Sequence, residues 1–327
     1  MKELQISILQ EKNNTLHGVI WATDEQPKAV LQITHGMTEH IQRYKELAEN
    51  LNKYGIVVAG FDLRGHGRNL SNRNCSSLGE NGWEQSLNDI KIFSDFLHNK
   101  FPNCPHYILG FSLGSFLVRE YLNKCDHNFS GAIIAGTGYQ PNILLSIMIA
   151  IVKTQINTYG FDSPTPLVNQ LSFDTYNAKF KPNNTVFDWL CSDEQELHKY
   201  ISDALCANSI SAGLFYQLLN SLKYTGRKDA YVNYDKDMPI LLLSGEKDPV
   251  ENVLLRKIFC GDPSDNIPSA CFQVGEKTAL GLYKLYTESA KMVGGFPKNE
   301  DGSDTNHMFA MSPVWHLVLG GLLSGLK

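Results

Sequence analysis

The nine residues YILGFSLGS, at positions 107–115, constrain this chain more than any other stretch. The apolar run 107–109 is typical of a buried strand, and the residues that follow 115 can form a helix. Between them, Gly110, Ser112 and Gly114 fit the pattern G-x-S-x-G, in which a strand turns sharply into a helix and leaves the serine hydroxyl exposed. The glycines permit the close approach that this turn needs. The alternative is an ordinary glycine-rich turn.

Bulk properties narrow the class of protein. A chain of 327 residues predicts one large domain, or one domain with an inserted cap. A net charge of -5 gives no reason to expect a nucleic-acid partner or an anionic membrane partner. Seven cysteines without a C-x-x-C pair argue against a disulfide framework and a zinc site, and for a reducing compartment. With no signal-peptide pattern at the start, we expect a soluble, cytoplasmic protein.

Hydrophobic periodicity predicts alternating strands and helices before and after the G-x-S-x-G turn. The predicted order is β-β-β-α-β-α-β-α, with an opening antiparallel hairpin. Such alternation implies a mostly parallel sheet covered by helices. The strands are predicted at 4–8, 17–21, 29–34, 56–61, 107–109 and 132–135, and the helices at 44–54, 83–100 and 116–122.

Three segments of the predicted sheet end in residues that can do chemistry. His35, Arg64 and Ser112 each follow a strand end, and in parallel sheets the carboxyl ends of the strands meet at one edge. The glycine-bearing turn after His35 can aim the backbone N–H of Met37 at a site where negative charge develops. His35 and His40 could instead be loop histidines with structural hydrogen bonds.

The middle of the chain is less regular. The segment 141–152 is almost wholly apolar but too short to span a bilayer, so it is either a buried helix or part of an apolar lid. Short helices are predicted at 187–191, 194–201 and 212–222, and a strand at 238–245. Asp248 follows that strand and can orient a histidine, although a solvated turn residue is the alternative.

Taken together, residues 1 to about 250 resemble the α/β-hydrolase fold, in its bacterial monoacylglycerol lipase and lysophospholipase branch. The resemblance implies that Ser112 is the nucleophile, that the amides of Met37 and Leu113 form the oxyanion hole, and that Asp248 orients the catalytic histidine. The matching motifs occur in the family's order: HGMTEH at 35–40, FDLRGHGRN at 61–69, GFSLGS at 110–115 and LLLSGEKDPV at 241–250.

The same resemblance implies the organisation and the substrate. Residues 1–137 and 234–327 would form the α/β-hydrolase core, and 138–233 an inserted helical cap over the site. A lipid ester, monoacylglycerol or lysophospholipid, is the expected substrate, cleaved without a cofactor or metal, and the cap could touch a membrane surface transiently. The chain departs from the family at two positions, where Phe111 and Ser115 replace the usual histidine and glycine.

The tail departs from the family pattern. Of the two histidines after Asp248, His307 lies in a polar loop and is the better candidate for the catalytic base, whereas His316 lies in an apolar run. The segment 254–286 resembles the helix–turn–helix region of viral and flap-type 5′-nucleases, through GDPSDNIP and GEKTA. In those enzymes, the aspartates at the positions of Asp262 and Asp265 bind divalent metal. We interpret this pair as turn residues, because no further carboxylate set lies upstream.

This tail leaves two alternatives open. The chain could be composite, with a foreign C-terminus that turns the hydrolase fold into a catalytically impaired binding protein. The segment 254–286 could also be a nucleic-acid contact module, although the acidic balance of the chain argues against that function.

Overall fold

The computed structural model describes residues 1–9, 15–70, 75–166, 175–191, 193–235, 238 and 240–243. In chain order the strands are β1 Lys2–Leu9, β2 Thr15–Ala22, β3 Ala29–Thr34, β4 Ile56–Phe61, β5 Cys75–Ser76, β6 His106–Phe111, β7 Gly131–Ala135, β8 Ser209–Ile210 and β9 Ile240–Leu243. The α-helices of two turns or more are α1 Lys45–Asn52, α2 Gly82–Lys100, α3 Leu113–Lys124, α4 Asn142–Tyr159, α5 Glu194–Ser202 and α6 Ala212–Thr225.

The predicted opening hairpin is confirmed. β1 and β2 pair antiparallel with Ile6 opposite Gly18, and Leu4, Ile6 and Ile8 turn towards the apolar core. This follows from the alternation of apolar and polar residues in β1, which gives a strand one face towards the core and one towards water.

The central sheet has seven described strands in the order β1-β2-β4-β3-β6-β7-β9. β2 pairs antiparallel with β4, and the remaining neighbours from β4 to β9 pair parallel. All residues of β3, β4 and β6 are buried, because helices cover both faces of a parallel sheet. The carboxyl ends of β3 and β6 therefore lie side by side, with Thr34 opposite Gly110.

Two apolar layers cover the two faces of this sheet. One contains side chains of α2, α3 and α6, among them Phe93, Leu117 and Leu214. The other contains Tyr44 and side chains of α1, together with Trp189 and Tyr200 from the segment between β7 and β9. This intervening segment thus packs against the core of the sheet rather than standing apart from it.

The segment between β7 and β9 contains α4, α5 and α6. Helix α4 includes the apolar run predicted as either a buried helix or part of an apolar lid, and its apolar side chains are divided between buried and exposed positions. Leu145 and Val152 are fully buried, whereas Ile143 is 79% and Ile147 is 55% exposed. Among the described residues, no helix combines the length and apolarity needed to cross a membrane.

The helix predicted at 187–191 is wrong, because this stretch forms turns. The carboxylate of Asp188 accepts hydrogen bonds from the backbone N–H groups of Asn184 and Thr185 and from the Thr185 hydroxyl. Such local side-chain contacts offer the backbone an alternative to a helix. The helices predicted at 194–201 and 212–222 are confirmed as α5 and α6.

Candidate active site

Ser112 lies at the turn between β6 and α3, in a conformation that a non-glycine residue rarely adopts. Its φ is 50° and its ψ is -115°. The Ser112 N–H donates to the carbonyl of Ala135 at 2.9 Å, which ties the turn to the end of β7. The serine is half-buried and stands immediately before the first turn of α3. A strained turn of this kind, from strand to helix, is the backbone form of a nucleophile elbow.

Neither glycine of the G-x-S-x-G pattern can be replaced, because a side chain at either position would clash with neighbouring backbone. A Cβ on Gly114 would lie 2.0 Å from the carbonyl oxygen of Thr34, at the end of β3. A Cβ on Gly110 would lie 2.5 Å from the carbonyl oxygen of Gly114. Contacts this short are excluded sterically, so the elbow can pack against β3 only with glycine at both positions. The alternative of an ordinary glycine-rich turn is therefore set aside.

Ser115, which replaces a common family glycine, bonds to the elbow itself. Its hydroxyl donates to the carbonyl of Ser112 at 2.6 Å, and its N–H donates to the same oxygen at 2.9 Å. Phe111, the other departure, is 3% exposed, and its ring lies against the backbone of Gly36. Neither substitution disturbs the turn.

The loop after β3, residues 35–40, lies beside the elbow. The carbonyls of Thr34 and His35 lie against Gly114 of α3, and Gly36 lies against Phe111. Met37 and Leu113 therefore both lie at the carboxyl edge of the sheet. The side chain of Met37 packs on the apolar core. We call residues 35–40 the β3 loop.

Glu39 fixes the backbone of the β3 loop. One carboxylate oxygen accepts the N–H of Gly36 at 2.6 Å and the hydroxyl of Tyr44 at 2.8 Å. The other lies 3.4 Å from Nε of Arg43. Glu39 is 3% exposed, and a carboxylate so deeply buried needs such partners. The motif HGMTEH contains Glu39, but nothing in the motif indicates this role.

His35 is a buried structural histidine, as one of the two sequence interpretations held. Its Nδ1–H donates to the carbonyl of Gly36 at 2.7 Å, and its Nε2 accepts the N–H of Leu63 at 2.9 Å. Burial, together with the nearby His66, lowers the pKa of His35 to about 3. The neutral ring thus joins the β3 loop to the loop after β4.

The loop after β4 is fixed by a second set of polar contacts. Although burial favours the neutral acid, hydrogen bonds from Arg68 and from the N–H of Ile41 hold the pKa of Asp62 below its usual value. Burial lowers the pKa of His66 to about 4, and its Nδ1–H donates to the carbonyl of Arg64. Each of these groups holds loop backbone at the carboxyl edge of the sheet.

Three of the five predicted site residues are placed together at this edge, namely Met37, Ser112 and Leu113. Arg64, predicted to converge on the same edge, pairs with the buried carboxylate of Asp89 at 2.6 Å. Asp248 and His307 lie outside the described residues, as do Asp262, Asp265 and His316. Their predicted roles stay predictions.

The comparison with protein families decides the family. Residues 25–261 match the family described as "Serine aminopeptidase, S33". The chain belongs to this family. Its members share the α/β-hydrolase fold, so the mostly parallel sheet with flanking helices that the sequence predicted is confirmed. No comparison supports the nuclease resemblance of 254–286, which stays a prediction.

Individual family relatives are distant. The chain is 27% identical to an uncharacterized abhydrolase domain-containing protein of Dictyostelium discoideum, over 87% of this chain and 27% of that protein. It is 27% identical to a monoacylglycerol lipase of Mycolicibacterium smegmatis, over 41% and 47% of the two chains. The match therefore spans less than half the length of either relative. A monoglyceride lipase homolog of Monkeypox virus is 26% identical, over 74% and 78%.

Solved structures agree on the fold. A carboxyl esterase from Bacillus coagulans has a TM-score of 0.69 at 19% identity, with coverage of 90% of this chain and 88% of that one. A monoacylglycerol lipase from Paleococcus ferrophilus has a TM-score of 0.60 at 18% identity, with coverage of 95% and 99%. At such identities the likeness shows the α/β-hydrolase fold alone.

Proposed function

We propose that this protein is a serine hydrolase that cleaves carboxylic esters of lipids, monoacylglycerol or lysophospholipid, through an acyl-enzyme intermediate. The observation that carries the proposal is the strained backbone of Ser112, φ 50°, at the N-terminus of a helix and beside the β3 loop. Backbone strain persists where the surrounding structure enforces it, and it clusters at active sites.

In the proposed mechanism, Ser112 Oγ attacks the ester carbonyl and loses its proton to His307. The N–H of Leu113, in the first turn of α3, and the N–H of Met37 stabilise the oxyanion of the tetrahedral intermediate. His307 then donates the proton to the departing alcohol, and Asp248 holds the imidazole in the required tautomer. Water hydrolyses the acyl-enzyme by the same steps in reverse order.

A lipid substrate is supported by the surface of α4 and by the relatives. Ile143, Leu144, Ile147 and Ile151 are all at least 36% exposed on this helix. Burial of each methylene of such side chains contributes about 0.8 kcal/mol, which favours contact with an acyl chain or a lipid surface. Relatives from several organisms are monoacylglycerol or monoglyceride lipases. The segment 138–233 is then a cap, in transient contact with the membrane that presents the substrate.

A second candidate function comes from the family description itself, which names a serine aminopeptidase. The same elbow can attack an amide carbonyl, so the geometry of Ser112 alone does not separate esters from peptides. The exposed apolar side chains of α4 favour the lipid ester. A third candidate is a catalytically impaired binding protein with a nuclease-like C-terminal segment. It applies if no histidine acts as the general base for Ser112.

The test is labelling of the purified full chain with a fluorophosphonate probe, followed by hydrolysis of a monoacylglycerol and of an aminoacyl p-nitroanilide. We expect wild type to be labelled and to prefer the monoacylglycerol. Ser112→Ala and His307→Ala should abolish labelling, while Ser115→Ala, the neighbouring serine, should retain it. Faster cleavage of the anilide would favour the aminopeptidase. A folded wild-type protein that is not labelled would establish the impaired binding protein instead.

A further inference from the structure

A cluster of three metal-ligating side chains lies behind the β3 loop, where it meets the turn after α5. His40 is the last residue of the β3 loop, and Asp203 and Cys206 belong to the turn. Nε2 of His40 lies 2.8 Å from Oδ2 of Asp203. The ligating atoms of all three side chains lie within 4.8 Å of one another.

The turn that supplies two of these side chains is held by its own hydrogen bonds. Oδ1 of Asp203 accepts the N–H of Leu205 at 2.8 Å, and the Asp203 carbonyl accepts the N–H of Cys206 at 2.9 Å. These bonds leave Oδ2 of Asp203 facing His40. The carboxylate and the thiol are therefore positioned before any ligand arrives.

Two further contacts hold α5 and the turn after it against the β3 loop. The hydroxyls of Thr38 and Tyr200 lie 2.7 Å apart, and the N–H of Ala207 donates to the carbonyl of Thr38 at 3.1 Å. The three candidate ligands therefore come from two segments of the chain that are already fixed to each other. Ligand binding at this site therefore costs little conformational entropy.

We propose that His40, Asp203 and Cys206 form a binding site for a divalent transition metal, with Zn²⁺ as the preferred ion. Imidazole nitrogen, carboxylate oxygen and thiolate sulfur are the ligands that zinc takes in proteins. Zinc–ligand bonds of about 2.0–2.3 Å separate two tetrahedral ligands by roughly 3.3–3.8 Å. The separations in the cluster reach this range through side-chain shifts of about 1 Å.

The charges of the site suit a dication. One carboxylate and one thiolate neutralise Zn²⁺. The guanidinium of Arg43 lies beside the Cys206 thiol, and its charge is balanced by the buried carboxylate of Glu39. On binding, the S–H bond of Cys206 is replaced by a sulfur–zinc bond and its proton passes to water. The hydrogen bond from Nε2 of His40 to Asp203 is broken, and the imidazole takes the tautomer with its proton on Nδ1, so that Nε2 can bind the ion. Asp203 is 31% exposed, which leaves a route for the ion and room for a water as fourth ligand.

Metal binding has a consequence for the neighbouring loop. Zinc would link the β3 loop to the turn after α5 and hold the two segments more rigidly together. Because Met37 belongs to the β3 loop, zinc occupancy should change ester turnover; this consequence, unlike the site itself, rests on the proposed function.

The site is tested with Co²⁺, whose bond to a thiolate gives a charge-transfer band in the near ultraviolet. The full chain, stripped of metal with a chelator, is titrated with CoCl2 and then with ZnCl2 in competition with a chromophoric chelator. We expect one ion per chain and a charge-transfer band that zinc removes. Cys206→Ser should abolish the band. Asp203→Asn, at a partly exposed position, should weaken zinc binding at least about tenfold, as loss of even an outer-shell partner does.

The matched control is Cys75→Ser, which removes another buried cysteine far from the cluster in sequence and should leave the band and the affinity unchanged. Absence of the band, or a band that persists in Cys206→Ser, would overturn the site. Ester turnover is then measured with and without zinc. If the band appears and turnover is undetectable under every condition, the metal site stands and the proposed hydrolase function fails.

Discussion

Ser112 keeps its strained backbone because its own peptide groups are held on both sides. Its N–H is bonded to the end of β7, and its carbonyl accepts two hydrogen bonds from Ser115. A non-glycine residue in a sparsely populated conformation costs about 1–3 kcal/mol. Three hydrogen bonds of roughly 1 kcal/mol each offset that cost. None of these three bonds uses the Ser112 hydroxyl.

The contribution of Ser115 can be measured directly. Ser115→Ala removes the bond from its hydroxyl, but the Ser112 carbonyl keeps the N–H of residue 115 as a partner. We expect the free energy of unfolding in urea to fall by about 1 kcal/mol, with fluorophosphonate labelling retained. Lost labelling at unchanged stability would show that Ser115 acts in the chemistry rather than in the turn.

Glu39 is predicted to position the β3 loop for catalysis. Glu39→Ala leaves the N–H of Gly36 without its carboxylate, so the Met37 amide loses its fixed direction. We expect kcat on a soluble ester to fall by about 10- to 100-fold, less than the roughly 100- to 1,000-fold that loss of an oxyanion-hole donor costs. KM should change little, because the substrate contacts remain.

The matched control for Glu39 is Tyr44→Phe. This variant removes a hydrogen bond to the same carboxylate oxygen but leaves the bond from Gly36. It should lower the free energy of unfolding by about 1–3 kcal/mol and keep kcat near the wild-type value. Equal losses of kcat in the two variants would mean that Glu39 acts only through stability.

At the scale of elements, α4 is the helix whose surface is least explained by packing in the described structure. Its buried residues Leu145 and Val152 hold it against the core, but four large aliphatic side chains face outwards. The sequence predicted only its apolar first part, 141–152, and missed the polar continuation to Tyr159. Polar residues on an exposed helix carry little periodic signal, so its end could not be located.

If α4 binds a lipid surface, polar substitutions on it should slow hydrolysis of a vesicle-borne substrate but not of a soluble one. Ile143→Ser with Ile147→Ser should weaken binding to phospholipid vesicles and slow hydrolysis of vesicle-borne monoacylglycerol by at least about tenfold, since about 2 kcal/mol of apolar burial is lost. Hydrolysis of a soluble short-chain ester should not change. Asn157→Ser, exposed on the same helix, is the control. If the double variant and the wild type hydrolysed vesicle-borne monoacylglycerol at equal rates, α4 would not bind the lipid surface.

At the scale of the whole molecule, the sequence predicts well what depends on local pattern. The elbow, the hairpin and the strand–helix alternation follow from periodicity and from glycine placement. Contacts between distant segments cannot be predicted from local pattern. The pair of His40 and Asp203 joins positions 163 residues apart, and the bond between Gly36 and Glu39 needs a particular loop shape. No spacing rule finds a metal cluster whose ligands come from two separate loops.

The loops at the carboxyl edge predict how the whole molecule responds to acid. In the folded state burial holds the pKa of His35 at about 3 and that of His66 at about 4, whereas both titrate near 6.5 when unfolded. Below pH 6.5 the unfolded chain therefore binds more protons, and stability falls as pH falls towards 4. Each histidine contributes a slope of up to about 1.4 kcal/mol per pH unit. The lowered pKa of Asp62 adds to the loss only at still lower pH, below about 4.

This acid response is checked by urea unfolding between pH 4 and pH 8. We expect the free energy of unfolding to be flat above about pH 7 and to decline below it. His66→Gln removes one of the two buried titrations, so its decline should be shallower by up to about 1.4 kcal/mol per pH unit, even if its stability at pH 8 is lower. Asn157→Ser, at an exposed position on α4, removes no titratable group and should keep the wild-type slope. A slope unchanged in His66→Gln would mean that the ring at position 66 is already protonated in the folded protein, and that the loop cluster is not held by neutral histidines.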